Sequence, residues 1–352
     1  MSDLTQSLLS QVQEAVNNHQ ALRIEGGNSK AFYGCDVKGE ALSLHGHSGI
    51  VDYDPAELII TARSGTALSE IEKTLAANNQ MLAFEPPHFG ENATLGGTIA
   101  CGLSGNRRPY SGSARDFMLG CKIINGNAET LSFGGQVMKN VAGYDVSRLM
   151  TGAMGTLGVL LEVSLKVLPK PAKEVTLVQQ LTVNEVLLQM NQLAGQPIPL
   201  SAATYYDGHL YIRLSGAAQA VEHAITVVNG EVHDEGHSFW SSINEHTHRF
   251  FKSEKSLWRV SVKADASLLG IEEDFLLDWG GTQRWIYTDS NADILRELVA
   301  KQDGHAICFR NPADDVEVFH PLTGKLKELH LNLKSAFDPR GTFNYERMYP
   351  GI

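Results

Sequence analysis

Ala93-Thr94-Leu95-Gly96-Gly97-Thr98-Ile99-Ala100-Cys101-Gly102-Leu103-Ser104-Gly105 is built almost entirely of small residues. It continues through Arg107, Arg108, Ser111-Gly112-Ser113 and Arg115-Asp116. From Pro86 to Gly120 glycine, serine and alanine dominate and hydrophobic periodicity is weak, which predicts a long ordered loop region with short helical pieces. Loops of that length usually serve a function. Small side chains let a flat ligand lie against backbone, so Thr94, Gly96, Gly97, Ser104, Gly105, Ser111 and Ser113 are candidate binding residues. Arg107 and Arg108 either face a phosphate or are solvated or salt-bridged.

Upstream, Ala21-Leu22-Arg23-Ile24 reads as a short strand entering the tight polar loop Glu25-Gly26-Gly27-Asn28-Ser29-Lys30. Two glycines admit an anion close to the backbone, where consecutive N–H groups and the Ser29 hydroxyl can bind it. An ordinary glycine-rich turn explains the same residues, and the G-x-x-x-x-G-K-[ST] phosphate loop is absent. Leu58 to Ala62 reads as a buried strand, followed from Gly65 by a helix with Leu68, Ile71 and Leu75 on one face. Downstream, Gly143-Tyr144-Asp145 precedes Gly152-Ala153-Met154-Gly155-Thr156-Leu157-Gly158-Val159. This G-x-x-G-x-x-G run enters a strand, whereas the dinucleotide fingerprint enters a helix, which disfavours a classical NAD site. Residues 159–168 alternate, with Leu161, Val163, Leu165 and Val167 on one face, until Pro169 and Pro171 stop the strand and mark a domain boundary near 171.

The chain has 352 residues, 43% hydrophobic and 20% charged, enough for two packed globular units. A formal charge of -11 argues against nucleic acid and acidic lipid as partners. Apolar runs fall short of the roughly 20 residues of a membrane span. Leu4, Leu8, Leu9, Val12 and Val16 recur at helical spacing, so the first 20 residues read as an amphipathic helix rather than a secretory signal. Cys35, Cys101, Cys121 and Cys308 are scattered, which fits reduced thiols in a cytoplasmic protein and leaves no ligand set for an iron–sulfur cluster.

Taken as a set, the three loops resemble the FAD-binding domain of the vanillyl-alcohol oxidase and p-cresol methylhydroxylase superfamily. Glu25 to Phe32, Arg107 to Phe117 and Phe133 to Asp145 are similar to the FAD-binding E-type subunits of bacterial glycolate oxidase. The resemblance covers essentially the whole chain and is most specific in its first half. It implies an α+β architecture: a two-part FAD-binding domain of the p-cresol methylhydroxylase type over 1–171, a smaller α+β cap or partner-binding domain over 172–320, and a segment over 321–352 returning to the FAD domain. It further implies that the first two loops hold the pyrophosphate, that Gly155, Gly158 and Val159 lie against the adenosine, and that Asn344 of Asp338-Pro339-Arg340-Gly341-Thr342-Phe343-Asn344 approaches the flavin. The implied substrate is a small 2-hydroxy acid, glycolate; the alternatives are a non-catalytic electron-relay or assembly subunit, or a stand-alone FAD-dependent alcohol or sugar oxidase. The implied partners are a larger FAD-containing subunit and an iron–sulfur subunit, through which a cytoplasmic chain would reach the inner membrane. Two departures stand out. The first loop lacks the histidine to which some superfamily members attach FAD, so non-covalent FAD is expected, and Tyr345-Glu346-Arg347 replaces the family's Pro-Gly-Arg.

The second half carries strands such as Thr204-Tyr205-Tyr206 and 210–214, and helices such as 217–228 and 322–336. His246 and His248 could hold a metal on a strand, but Phe239, Trp240, Phe250 and Phe251 around them favour an aromatic-packed helix and no metal site. His88 reads first as a loop histidine and second as a cofactor neighbour. No catalytic residue can be assigned, and the second half shows no convergent set of Arg and His that would form a substrate cage.

Overall fold

Leu8, Val12, Ala15 and Val16 form the buried stripe of the first helix, α1 (Thr5–Asn18), which covers one end of a mixed α/β unit. The structure, a computed structural model, describes residues 2–135, 145–270, 274–288, 290–313 and 316–352. Gln136 to Tyr144, within the third family-like stretch, lie outside the described residues.

The polypeptide divides into two compact units. The first contains the chain up to Ser104, Gly112–Pro169 and Pro321–Ile352; the second contains Gly105–Ser111 and Lys170–His320. The chain therefore leaves the first unit for seven residues inside the glycine-rich stretch, and passes over between Pro169 and Lys170.

The first unit is itself in two parts. In one, β1 (Leu22–Glu25) pairs in parallel with β2 (Glu40–Ser43). In the other, five antiparallel strands run in the order β3 (Ile50–Asp54), β4 (Ile59–Arg63), Val159–Lys166, Met118–Ile124 and Thr130–Gly134. The helices α2 (Leu68–Ala76) and α3 (Leu95–Cys101) bury Leu68, Ile71, Leu75, Leu95 and Ile99 in the core of that sheet. The strand Val159–Lys166 was expected to show one polar face. It is central and covered on both sides: Val159 and Leu161 join the cluster around α1, Leu160, Val163 and Leu165 join the larger core, and Ser164 hydrogen-bonds Thr61 at 2.8 Å. His47 fixes the start of α1, its Nδ1 accepting the Leu4 N–H at 3.0 Å from a fully buried position. The C-terminal tail adds to the edge of β1: Leu22 N–H donates to the Thr342 carbonyl and Asn344 N–H to the Leu22 carbonyl, at 2.7 and 3.0 Å.

The second unit is an eight-stranded antiparallel sheet with Lys173–Gln180, His209–Gly216 and Leu200–Tyr206 towards one edge and Leu257–Ser261 and His305–Arg310 at the other. The helices Val183–Ala194, Ala218–Val228 and Ala292–Ala300 bury apolar stripes against one face of it. The aromatic stretch is not one continuous helix: Gly236–Asn244 is α-helical and Arg249–Phe251 a separate 3-10 turn. His246 stacks on Phe251 at 3.9 Å between ring centroids, and His248 accepts the Phe250 N–H, so both imidazoles are built into packing.

Candidate cofactor site

A cavity of about 510 Å³ opens in the first unit where the β1 loop, the start of α3, the Gly152–Gly158 turn and the C-terminal tail meet. This is within the size range of cofactor sites. Gly26, Gly27, Asn28, Ser29 and Lys30 line it, as do Thr94, Gly96, Gly97, Gly155, Gly158 and Asn344.

The loop after β1 is shaped for an anion. Asn28 adopts a left-handed conformation at φ 56°. The backbone N–H groups of Gly26, Gly27, Asn28 and Ser29 donate to no acceptor among the described residues. Successive amides around a left-handed residue form a concavity that attracts phosphate oxygens. Gly27 is required for another reason: a Cβ there would stand 1.4 Å from the Asn92 carbonyl oxygen. Lys30 is buried and donates to the His88 carbonyl at 3.1 Å, while the His88 ring meets Glu72 at 3.0 Å.

The start of α3 contributes differently. Its first amides are already used, with Leu95 N–H on the Thr66 carbonyl, Gly96 N–H on the Ser64 carbonyl, and Gly97 N–H on the capping Thr94 hydroxyl. What α3 offers is space. Apart from the backbone of its own helix, a Cβ on Gly97 would find one heavy atom within 4 Å, Thr94 Oγ1 at 3.2 Å. Beside it Ser64 Oγ is buried without a hydrogen-bond partner and lines the same wall, a polar atom left for a ligand.

Asn344 joins the walls. Its Oδ1 accepts the Ile24 N–H at 2.8 Å and its Nδ2 donates to the Met154 carbonyl at 2.7 Å. Arg347, also lining the cavity, donates to the carbonyls of Ala31, Tyr33 and Cys35. The arginine stands at the spacing from Asn344 that the family tail has, so the Tyr345-Glu346 departure does not remove the tail from the wall. Cys101 lies in the wall too. Burial pushes its thiol above the ordinary range, with Lys30 and Arg347 opposing, so it stays protonated at neutral pH.

Five expected residues lie away from the cavity lining. Ser104 accepts the Ala114 N–H at 3.0 Å. Gly105 belongs to the second unit, where its carbonyl accepts the Trp279 indole N–H, and Ser111 lies in the same excursion. Ser113 caps a short turn with Asp116, and Val159 is core. Arg107 pairs with Glu174 at 2.9 Å and Arg108 lies over the Trp279 ring. Small residues here make room for chain as well as for ligand. Sequence reading missed Ser64, Cys101 and Arg347; the arginine's spacing from Phe343-Asn344, the same as in the family's Pro-Gly-Arg tail, was the available signal.

A family profile described as "FAD binding domain" matches residues 5–134. In solved structures, alkyldihydroxyacetonephosphate synthase superposes with a TM-score of 0.70 at 14% identity, covering 96% of this chain and 74% of that one. Fold, cavity and profile thus define an FAD-binding protein with a flavin domain of the p-cresol methylhydroxylase type. The glycolate oxidase subunit GlcE of Escherichia coli (strain K12) is 45% identical over 347 residues, 99% of this chain and 98% of that protein. The chain belongs to the glycolate oxidase subunit GlcE family. Glycolate oxidase subunit GlcD of Bacillus subtilis (strain 168) is 29% identical over 173 residues, 48% of this chain and 36% of its own length. Among the described residues no helix is long and apolar enough to cross a membrane, and no group of His, Cys, Asp and Glu is arranged to hold a metal.

Proposed function

We propose that this chain holds one FAD non-covalently and acts as a flavin-bearing subunit of a complex that oxidises glycolate to glyoxylate. The near full-length identity to a glycolate oxidase subunit carries this reading. The free amides of Gly26 to Ser29 and the unpartnered Ser64 hydroxyl support it from the chain's own atoms. The amide concavity and Ser29 would hold the pyrophosphate, Gly97 would pass close under the cofactor, and Gly155, Gly158 and Asn344 would bound its far side. When bound, FAD supplies the two-electron acceptor for hydride leaving the hydroxyl-bearing carbon. Among cysteines, Cys101 is the one in the wall, and as a protonated thiol it is a poor nucleophile toward the ring, which favours non-covalent binding. Partners in this reading are a second, larger flavin subunit and an iron–sulfur subunit that takes the electrons, with membrane attachment only through the complex.

A second reading, in which the flavin only relays electrons, draws on one observation. Arg107 and Arg213 of the second unit, natural receptors for a carboxylate, both face Glu174, at 2.9 and 3.9 Å. Two measurements test these readings. Acid precipitation should release all yellow colour to the supernatant; colour kept in the pellet refutes non-covalent binding. Anaerobic glycolate should bleach the flavin of the isolated chain if it is itself catalytic, and leave it oxidised if it is a relay.

A further inference from the structure

We infer that Lys334, which does not line the cavity, is a positioning residue that sets the width of the flavin cavity by tying two of its walls to one buried charge. The inference rests on reading the cavity as the FAD site. Lys334 lies in the helix Gly324–Phe337 and is buried. Its Nζ donates at 2.8 Å to each of three oxygens: Asp338 Oδ2, the Thr156 carbonyl and the Phe343 carbonyl. Asp338 is fully buried as well, its Oδ1 accepting the Thr342 N–H at 2.9 Å and its Oδ2 the Phe343 N–H at 2.8 Å.

Both carbonyls sit one residue from the lining. Thr156 follows Gly155, and Phe343 precedes Asn344. Those two lining residues are themselves in tight register, because a Cβ on Gly155 would come 2.6 Å from Asn344 Nδ2. A displacement of the tail is therefore passed directly to the Gly152–Gly158 turn and, through Ile24, to β1. The ammonium is the point at which helix, turn and tail converge.

Stability alone does not account for a buried lysine here. Exchanging a buried ion pair for apolar side chains of like volume is often neutral or stabilising. An apolar side chain cannot draw two carbonyls and a carboxylate to one point. What the pair supplies is fixed geometry, and a binding site loosened by even about an ångström loses function.

The test uses the full-length chain. Lys334→Met combined with Asp338→Leu removes both charges, so no unpaired carboxylate remains buried. The Thr342 and Phe343 N–H groups and the Thr156 and Phe343 carbonyls lose their partners, so the melting temperature should fall; at a temperature where the variant is still folded, the FAD dissociation constant should be raised about tenfold to a hundredfold. Amide hydrogen exchange in the apo protein should quicken at 152–158 and 342–347 and stay unchanged in the strands of the second unit. Lys334→Arg, which keeps charge and donors, should retain most of the affinity. Wild-type affinity in the double variant, or exchange that quickens evenly throughout the chain, overturns the inference. If the double variant does not fold, Lys334→Arg decides: affinity as weak as that of an Asn344→Ala control, in a folded protein, refutes a role for the donors. A wild-type chain that takes up no FAD would instead overturn the reading of the cavity.

Discussion

Gly97→Val separates cofactor space from folding space. Apart from the backbone of its own helix, the Cβ of residue 97 would have a single neighbour within 4 Å, the Thr94 hydroxyl at 3.2 Å, which can yield by a few tenths of an ångström. Gly97 lies in the first turn of α3, and replacing glycine by valine inside a helix recovers about a few tenths of a kcal/mol of helix propensity. The apo protein should therefore melt within a few degrees of wild type. The cost falls on the ligand. Extra methyl groups pressed into a filled site cost about 1–3 kcal/mol, and at about 1.4 kcal/mol per decade the FAD dissociation constant should rise about tenfold to a hundredfold. Flavin fluorescence quenching against the apo protein measures the constant, and circular dichroism follows the melt; Gly97→Ala should fall between wild type and Gly97→Val. Unchanged affinity in the valine variant would show that no cofactor passes under α3.

Gly27→Ala should act in the opposite sense, because its Cβ would collide with the Asn92 carbonyl at 1.4 Å; loss of soluble, cooperatively melting protein is expected, and normal melting would contradict the loop geometry. Acid should loosen the first unit through His47, whose proton affinity burial lowers from the ordinary value of 6.5. The unfolded chain then binds that proton more readily than the folded one, so stability is complete above about pH 6.5 and falls as pH drops towards the folded value. Denaturant midpoints measured between pH 7.5 and 5.5 should show a slope that His47→Gln reduces; an identical slope in the variant would exclude this histidine as the source.

The glycine loops were legible because close approach of backbone leaves a mark in composition. Gly26, Gly27 and Gly97 stood out by composition, whereas Gly155 and Gly158 gained a role only through the resemblance of the three loops taken as a set. The stretch from Ser104 to Ser113 has the same composition, yet its middle enters the second unit, since small residues accommodate a crossing chain as readily as a ligand. Ser64 sits at the end of β4 with nothing local to mark it, and its meaning comes from having no partner. Arg347 and Lys334 act on carbonyls up to 316 positions away along the chain, beyond the reach of any periodicity. Alternation suggested a half-exposed strand at 159–168, but the position in the middle of a sheet decides exposure.

The first unit is assembled from three separate lengths of chain, and the last of them supplies Asn344 and Arg347 to the cavity. During synthesis the β1 loop and α3 emerge long before the tail that closes the wall against them. The nascent chain can build most of the sheet and the whole second unit while the cavity still lacks a side. On the proposed reading of the cavity, cofactor loading would be a late event of biogenesis that follows docking of residues 338–347 on β1. Ribosome-bound chains stalled before that segment would be empty apoprotein, and the interval before docking is when the unfilled pocket lies open to chaperones and proteases.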